Sequence, residues 1–427
     1  REVPTLIFFY SLSRRKMKII HTSDWHIGQI FYEYDRDGEH LAFLERLREV
    51  IVSEKPDALL ISGDIFDSAM PSAQSQRLYT DAILRLKSAC PDMTVVVTAG
   101  NHDSGTRLET VRNLWDKSGV KVIGCLSRNG NMVRYGDHII RIASASEPGR
   151  IAGYVVALPH IYRQNSPACT EEDRQAGFYR KMVSAVNEEN TGKLPVVMMA
   201  HLAVSGSDMS GQELVTGGMD YVPAGIFPEE CDYVALGHIH KPQTVRQDCS
   251  SKKEAGPVVR YSGSPIPLSF DEGYRHTVSI VEMTPGRETE IREVEIPCNI
   301  PVLTIPGEPA PFGEALKVLK NFPDDKQAYV RLNVMISDFL PPNASAQAVQ
   351  AAGKKECRYC CMKITRTAET ENEKGNRLTV DEIKAINPLE VAEMYYRRRF
   401  GKDMDMEMKD MLSAVIREVS EKEMKEE

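Results

Sequence analysis

From Met17 onward, short apolar runs rich in Ile, Val and Leu recur, each ending in a polar cluster: Ile19 to His21, Ala58 to Ile61, Thr94 to Thr98, Pro195 to Met199 and Tyr233 to Leu236. Continuous runs of this length, without polar alternation, are expected of strands buried on both faces. Between the first of them, apolar residues fall three and four apart, at Leu41, Leu44, Leu47, Val50 and Ile51, then at Leu78, Ala82, Ile83 and Leu86, which predicts helices. Strand–helix–strand repetition predicts an α/β domain of layered sheets and helices over residues 17–300. Thr277 to Pro297 alternates like further strands, and the Pro-rich stretch Pro301 to Pro311 predicts a boundary.

Beyond that boundary, a helical run from Phe312 to Leu319 precedes the strand-like Ala328 to Val334, a linker Pro341-Pro342-Asn343 and the strand-like Cys357 to Ile364. This predicts a small α+β domain over residues 301–378, whose end, Arg366 to Arg377, reads as a solvated connector. Asn387-Pro388 supplies the N-cap and first turn of a helix that Gly401 can terminate, and a last helix is predicted from about Asp405 to Glu418. Residues 379–427 are thus expected to form a helical hairpin. Its stripe of Met408, Met411, Leu412, Val415, Ile416 and Val419 suits either packing on its own chain or a partner. Residues 1–16 read as an upstream extension outside the fold.

At 427 residues, with 42% hydrophobic and 27% charged positions, the chain is long and apolar enough for a large core, which excludes disordered, collagenous and disulfide-scaffold classes. The net charge of −8 offers no bulk positive field, so a nucleic-acid partner would have to be met by a local patch or by metal ions. Nine cysteines without framework spacing point to a reducing compartment, with the cytoplasm as the expected location. Cys357-Arg-Tyr-Cys360 is a lone CxxC without a second ligand pair nearby and reads as strand cysteines rather than a structural zinc site.

Five clusters stand at or just past the ends of the predicted strands, where open α/β sheets place ligand sites. They are Asp24-Trp-His26, Gly63-Asp64-Ile-Phe-Asp67, Gly100-Asn101-His102-Asp103, Ala200-His201 and Gly237-His238-Ile-His240. Singly, each has an ordinary structural reading, since a Gly-Asp pair is usually a turn and a histidine after a strand is usually held by hydrogen bonds. Together they supply carboxylates, imidazoles and an amide, the mixed set that Mn, Fe, Zn or Co ions accept and that Mg or Ca sites rarely use. Half of the ten histidines fall inside them, and the glycines allow sharp turns and close approach behind the ligands.

The order DxH, GDxxD, GNHD, H, GHxH resembles the calcineurin-like metallophosphoesterase superfamily over about Met17 to Phe270. The resemblance implies a four-layer αββα sandwich with a binuclear metal centre at the strand ends. Asp24, His26, Asp64 and His240 would hold the first ion, and Asp64, Asn101, His201 and His238 the second, with Asp64 bridging. His102 would be the catalytic histidine, protonating the leaving alkoxide, and Asp67 would hold its ring by accepting the other N–H.

Details select a branch. The arginine that follows GDxxD in protein Ser/Thr phosphatases is replaced by Ser68-Ala69, and the third motif ends in Asp103 rather than Glu. The start Met-Lys-Ile-Ile-His-Thr-Ser-Asp-Trp-His-Ile-Gly, the run Gly-Asp-Ile-Phe-Asp-Ser-Ala-Met-Pro-Ser, and Tyr261-Ser-Gly-Ser-Pro-Ile-Pro-Leu-Ser-Phe270 resemble the SbcD family, the bacterial Mre-type nuclease subunits. That implies a capping domain over residues 301–378 that orients duplex DNA, and C-terminal helices that bind an SbcC-type ABC ATPase. It also implies a homodimer within a heterotetramer, formed through helices near the first motifs. The expected activity is Mn²⁺-dependent exonuclease action on double-stranded ends and endonuclease action on single strands and hairpins, in DNA repair, recombination and replication. The rivals are another metallophosphoesterase acting on a small phosphodiester, and a metal-free adaptor, against which all the ligands and His102 are present.

Overall fold

The computed structural model describes residues 16–162, 165, 167, 174–212, 221–245, 256–366 and, toward the C-terminus, 389, 392–393, 396–397, 402–406, 408–414 and 416. Two compact units are present, Arg1–Thr365 and Arg366–Glu427. In the first, one six-stranded sheet runs in the order Glu290–Glu295, Thr277–Met283, Met17–Thr22, Ala58–Ser62, Thr94–Thr98, Val120–Ile123. The last four of these are mutually parallel, and Thr277–Met283 closes the sheet antiparallel on Met17–Thr22. A second six-stranded sheet carries Ile151–Ala157, Val196–His201, Tyr233–Gly237 and Val258–Tyr261 as its parallel centre.

Side-chain alternation along these strands explains why both faces are apolar. Ile19, Leu60 and Val96 of one sheet meet Val155, Val197 and Ala235 of the other in a core between the sheets. Their neighbours Ile20, Leu59, Ile61, Val95 and Val97 point outward, under Phe43, Leu47 and Ile51 of helix Asp37–Glu54 and Ile83 and Leu86 of helix Ala73–Ala89. On the far side Val156, Met198 and Val234 pack against Phe178, Met182 and Val186 of helix Arg174–Glu189. The result is the expected α/β/β/α sandwich. Of the apolar positions that mark the first helix, Leu41 is exposed and Leu44, Leu47, Val50 and Ile51 are buried.

A three-stranded sheet, Val302–Pro311, Tyr329–Ile336 and Arg358–Arg366, follows, with helices Phe312–Lys320 and Ala344–Ala352 closing its own core. The Pro-rich stretch expected as a boundary is here a strand. It sits at the sheet edge with a register shift between Ile305 and Ala310, the two circumstances in which a strand tolerates proline's missing N–H. Helix Ala344–Ala352 was not legible because its inner face is Ala344, Ala348 and Ala352, too weakly apolar to stand out. Cys357 packs in this core, and Cys360 and Cys361 lie at the seam with the sandwich, so the cysteine cluster is strand packing.

That seam is built around Arg36, fully buried and bonded through Nε to Glu39 and through Nη1 to Gln29 and the Pro267 carbonyl. The Tyr329 hydroxyl donates to Glu39 at 2.7 Å and accepts from Arg358, while Arg331 makes a two-pronged pair with Asp271. In the second unit the described residues include helical positions 389, 392–393, 396–397, 406, 408–414 and 416, within the expected hairpin. The connector after Arg366 and the upstream extension before Lys16 lie outside the described residues.

Leu319 is fully buried in the core of the three-stranded sheet. Leu319→Ala is expected to cost about 2–5 kcal/mol of local stability. Hydrogen exchange checks this: amides of Tyr329–Ile336 lose protection while those of Ala58–Ser62 keep theirs.

Candidate metal centre

Each candidate ligand lies at the C-terminal end of a strand. Asp24 and His26 follow Met17–Thr22, Asp64 follows Ala58–Ser62, Asn101 and His102 follow Thr94–Thr98, His201 ends Val196–His201, and His238 and His240 follow Tyr233–Gly237. Because the two sheets are packed face to face, these ends open into one cleft of about 340 Å³, lined among others by His26, Asp64, Asn101, His102, His238 and His240. The turns are tight. Asp24, His26, Asp64 and His238 all adopt positive φ, of 54°, 47°, 49° and 99°. A left-handed backbone at a residue with a Cβ costs of order 1–3 kcal/mol, and is retained where the surroundings impose it. A Cβ on Gly100 would strike the Asp64 carboxylate, and one on Gly63 the His201 ring, so both glycines are required by close approach.

The donor atoms of Asp24, His26 and His240 lie within 4.8 Å of one another, as do those of Asp24, Asp64 and His201. Asp64 Oδ2 stands 3.2 Å from His201 Nε2 and 3.7 Å from His26 Nε2, between the two expected ligand sets. Asn101 Oδ1 is 3.1 Å from His201 Nε2 and 2.8 Å from His238 Nδ1. All the residues singled out in the five clusters therefore converge. Asp67 departs from expectation in its target. Its carboxylate reaches His26 Nδ1 at 3.2 Å, and it is the Asp67 backbone carbonyl that accepts from His102 Nδ1, at 2.9 Å. The carboxylate is drawn to the buried imidazole flanked by Asp24 and Asp64, leaving the exposed ring to the main chain.

Asp24 and Asp64 are buried, and among the described residues neither has a Lys or Arg ion pair. Burial opposes ionisation of Asp64, yet the imidazoles of His201, His26 and His102 hold its carboxyl well below the usual carboxylate range. For His26, burial is outweighed by the Asp67 hydrogen bond and the charges of Asp64 and Asp24, which push it up to about 9; His201 is likewise raised to about 9, chiefly by Asp64. His238, by contrast, is driven down to about 3 by burial and the neighbouring His201. The field of the two carboxylates thus calls for positive charge, and the buried His26 Nε2 has no hydrogen-bond partner. An anionic pocket of mixed oxygen and nitrogen donors with an orphaned ring nitrogen fits divalent cations.

Residues 17–242 match the calcineurin-like phosphoesterase family. The chain is 36% identical over 317 residues to the SbcD subunit of nuclease SbcCD from Rhodobacter capsulatus, an overlap covering 71% of this chain and 75% of that protein. This chain belongs to the SbcD family. The SbcD subunit of nuclease SbcCD from Escherichia coli, at 26% identity over 91% of this chain and 94% of its own length, and that from Bacillus subtilis, at 27% over 90% and 94%, are also similar. Calcineurin-like phosphoesterases use divalent metals, and this SbcD-family chain has the groups to hold them.

Behind these groups, the SbcD-family chain carries supports that sequence reasoning passed over. Glu272 is buried and accepts from His240 Nδ1 at 3.0 Å and from the Leu268 amide at 2.9 Å. Ser262 bonds Ser23, which donates to Asp24. The run from Tyr261 to Phe270, which holds no candidate ligand, thus earns its place by bracing two that lie elsewhere. His160, following strand Ile151–Ala157 as His201 ends its own strand, bonds the His201 carbonyl at 2.9 Å; the same strand-end pattern would have found it. Asp103, named in the third motif without a role, accepts from the amides of Gly100, Ile65 and Phe66 at 2.8, 3.1 and 3.0 Å, tying two ligand loops together.

Burial and the nearby Asp64 charge push the Asp103 carboxyl up to about 6 against those three donors. Asp103→Asn sets an amide NH₂ against an N–H donor, and is expected to cost about 1–3 kcal/mol. Urea unfolding of the metal-free chain measures it; an unmoved midpoint would show that the three bonds are replaceable.

Proposed function

We propose that this SbcD-family chain is the metal-dependent nuclease subunit of a complex with an SbcC-type ABC ATPase, hydrolysing DNA phosphodiesters. The single observation that carries the reading is the convergence of Asp24, His26, Asp64, Asn101, His201, His238 and His240 at the strand ends of a sandwich that lacks the phosphatase arginine. Asp24, His26, Asp64 and His240 would hold one ion, and Asp64, Asn101, His201 and His238 the other, with Mn²⁺ the activating cation. Two such ions supply charge neutralisation for the phosphodiester and a nucleophile at neutral pH.

The chain's own groups do the rest. Nδ1 of His102 donates to a backbone carbonyl, which can only accept, so Nε2 is the nitrogen available to the cleft. As the imidazolium, with Nδ1–H kept on that carbonyl, His102 would give its Nε2 proton to the departing 3′ or 5′ oxygen. Its ring stands edge-on to His26, with centroids 4.8 Å apart, and through that contact keeps its position beside the ligands. Asp67 positions His26 by its carboxylate and His102 by its carbonyl. Glu272 fixes the tautomer of His240 by accepting from Nδ1, freeing Nε2 for an ion.

The substrates we assign are double-stranded ends for exonuclease action and single strands or hairpins for endonuclease action, in the cytoplasm at the nucleoid. Residues 17–300 would be the nuclease domain, 301–378 the capping domain, and 379–427 the ATPase-binding helices, whose Met406 and Met411 are exposed. Leu41 and Val52 on one sandwich helix and Leu84 on the next leave apolar surface exposed, which supports a homodimer formed there. No helix among the described residues is long and apolar enough to cross a membrane.

End-labelled duplex DNA incubated with the chain and Mn²⁺ is expected to shorten, faster with the ATPase and ATP, and to be spared in EDTA. His102→Ala is expected to lower kcat by about 10²–10⁴-fold while calorimetry still shows cation binding; Asp64→Asn should abolish that binding. Untouched DNA alongside hydrolysis of bis(4-nitrophenyl) phosphate would overturn the nuclease reading.

A further inference from the structure

Besides the histidines, the cleft is lined by Ile30, Phe31 and Tyr32 of one hairpin. Strands Ile30–Phe31 and Tyr34–Asp35 are joined by Tyr32 and Glu33, both left-handed at φ of 49° and 74°. Two consecutive positive φ values make the turn that Asn-Gly fills without strain, and a bulky aromatic there is the costly choice. Backbone strain of this kind marks a side chain held in place for a purpose. Phe31 is buried, anchored on Phe270 and Tyr329 with ring centroids at 5.3 and 5.0 Å. Tyr32 lines the cleft together with Ile30, and is 42% exposed. Edge contacts to Phe31 at 5.0 Å and Phe270 at 5.4 Å hold its ring, and its hydroxyl lies beside the Cys361 thiol of the capping sheet.

A half-exposed aromatic ring, braced on two other rings and set in the same cleft as the candidate ligands, has the features of a stacking platform. We propose that Tyr32 stacks on the nucleobase adjoining the scissile phosphate, so that the chain prefers to cut where that base is already unpaired. The inference rests on the nuclease reading and deepens it. Stacking accepts any base, because each has a π-face, so the contact would add affinity without sequence preference. Ile30, 59% exposed beside it, extends the apolar surface on which an unstacked base would rest.

The test uses the full chain with Mn²⁺ on three substrates: a single-stranded oligonucleotide, the same strand with one abasic position at the mapped cleavage site, and bis(4-nitrophenyl) phosphate. Tyr32→Asn suits the strained backbone and Tyr32→Phe keeps the ring. If Tyr32 stacks, Tyr32→Asn raises KM for the intact strand about ten-fold more than for the small ester, and Tyr32→Phe does not. The abasic strand should weaken the natural chain by a similar factor and Tyr32→Asn hardly further, while the melting temperature of Tyr32→Asn holds or rises. Equal KM for the intact strand in all three proteins overturns the stacking role, as does an abasic penalty that persists in full in Tyr32→Asn. Ester hydrolysis without cleavage of any strand instead removes the nuclease reading beneath it.

Discussion

Two carboxylates, Asp24 and Asp64, are buried at the ends of neighbouring strands with no Lys or Arg ion pair among the described residues, and the surrounding architecture follows from that. Uncompensated charge in a low-dielectric interior costs several kcal/mol per ion, so such a pair persists only where cations or protons complete it. In the chain alone, His26 and His201 provide the compensation by holding protons to about pH 9. The same constraint accounts for the backbone. Asp24, His26, Asp64 and His238 are bent into left-handed conformations to turn their side chains into one cleft, and Gly63 and Gly100 leave the space those side chains occupy. Strain, glycine placement and charge are thus one problem solved at one place.

Much of this was legible in the sequence because the candidate ligands stand just past apolar strands, four of the five clusters with a Gly or Ala before Asp, Asn or His and the first with Ser23 before Asp24. Five strand-end clusters in order carry more information than any one, which is why the sandwich and its strand-end residues could be read together. What was not legible lacks that pattern or acts at long range. Asp67 stands where a carboxylate could serve either imidazole, and only the fold decides that it faces His26 while its carbonyl serves His102. Glu272 lies 32 residues from His240, and nothing local links them. The edge strand Val302–Pro311 was masked by its prolines, and helix Ala344–Ala352 by its alanines, since propensity and hydropathy are weak guides where sheet position or small-residue packing decides.

The three-stranded sheet is joined to the cleft by a short stretch of chain rather than by a broad interface alone. From His26, the chain passes through Gln29 and the hairpin to Arg36, and each of these steps has a fixed partner: Gln29 on Arg36, Phe31 on Tyr329, Arg36 on Glu39 and the Pro267 carbonyl. Tyr329 of that sheet binds Glu39, and Arg331 reaches Asp271, the neighbour of Glu272 that braces His240. The three-stranded sheet therefore holds Phe31, a few residues from His26, and Asp271, the neighbour of the Glu272 that bonds His240. Arg36 is fully buried, so losing Glu39 would leave its charge without a counterion, a penalty far larger than that of breaking a surface pair. A displacement of the three-stranded sheet that kept the Tyr329–Glu39 bond and the Phe31–Tyr329 ring contact intact would have to carry the hairpin with it. The position of Tyr32 in the cleft is then set by the same contacts that seat the three-stranded sheet on the sandwich.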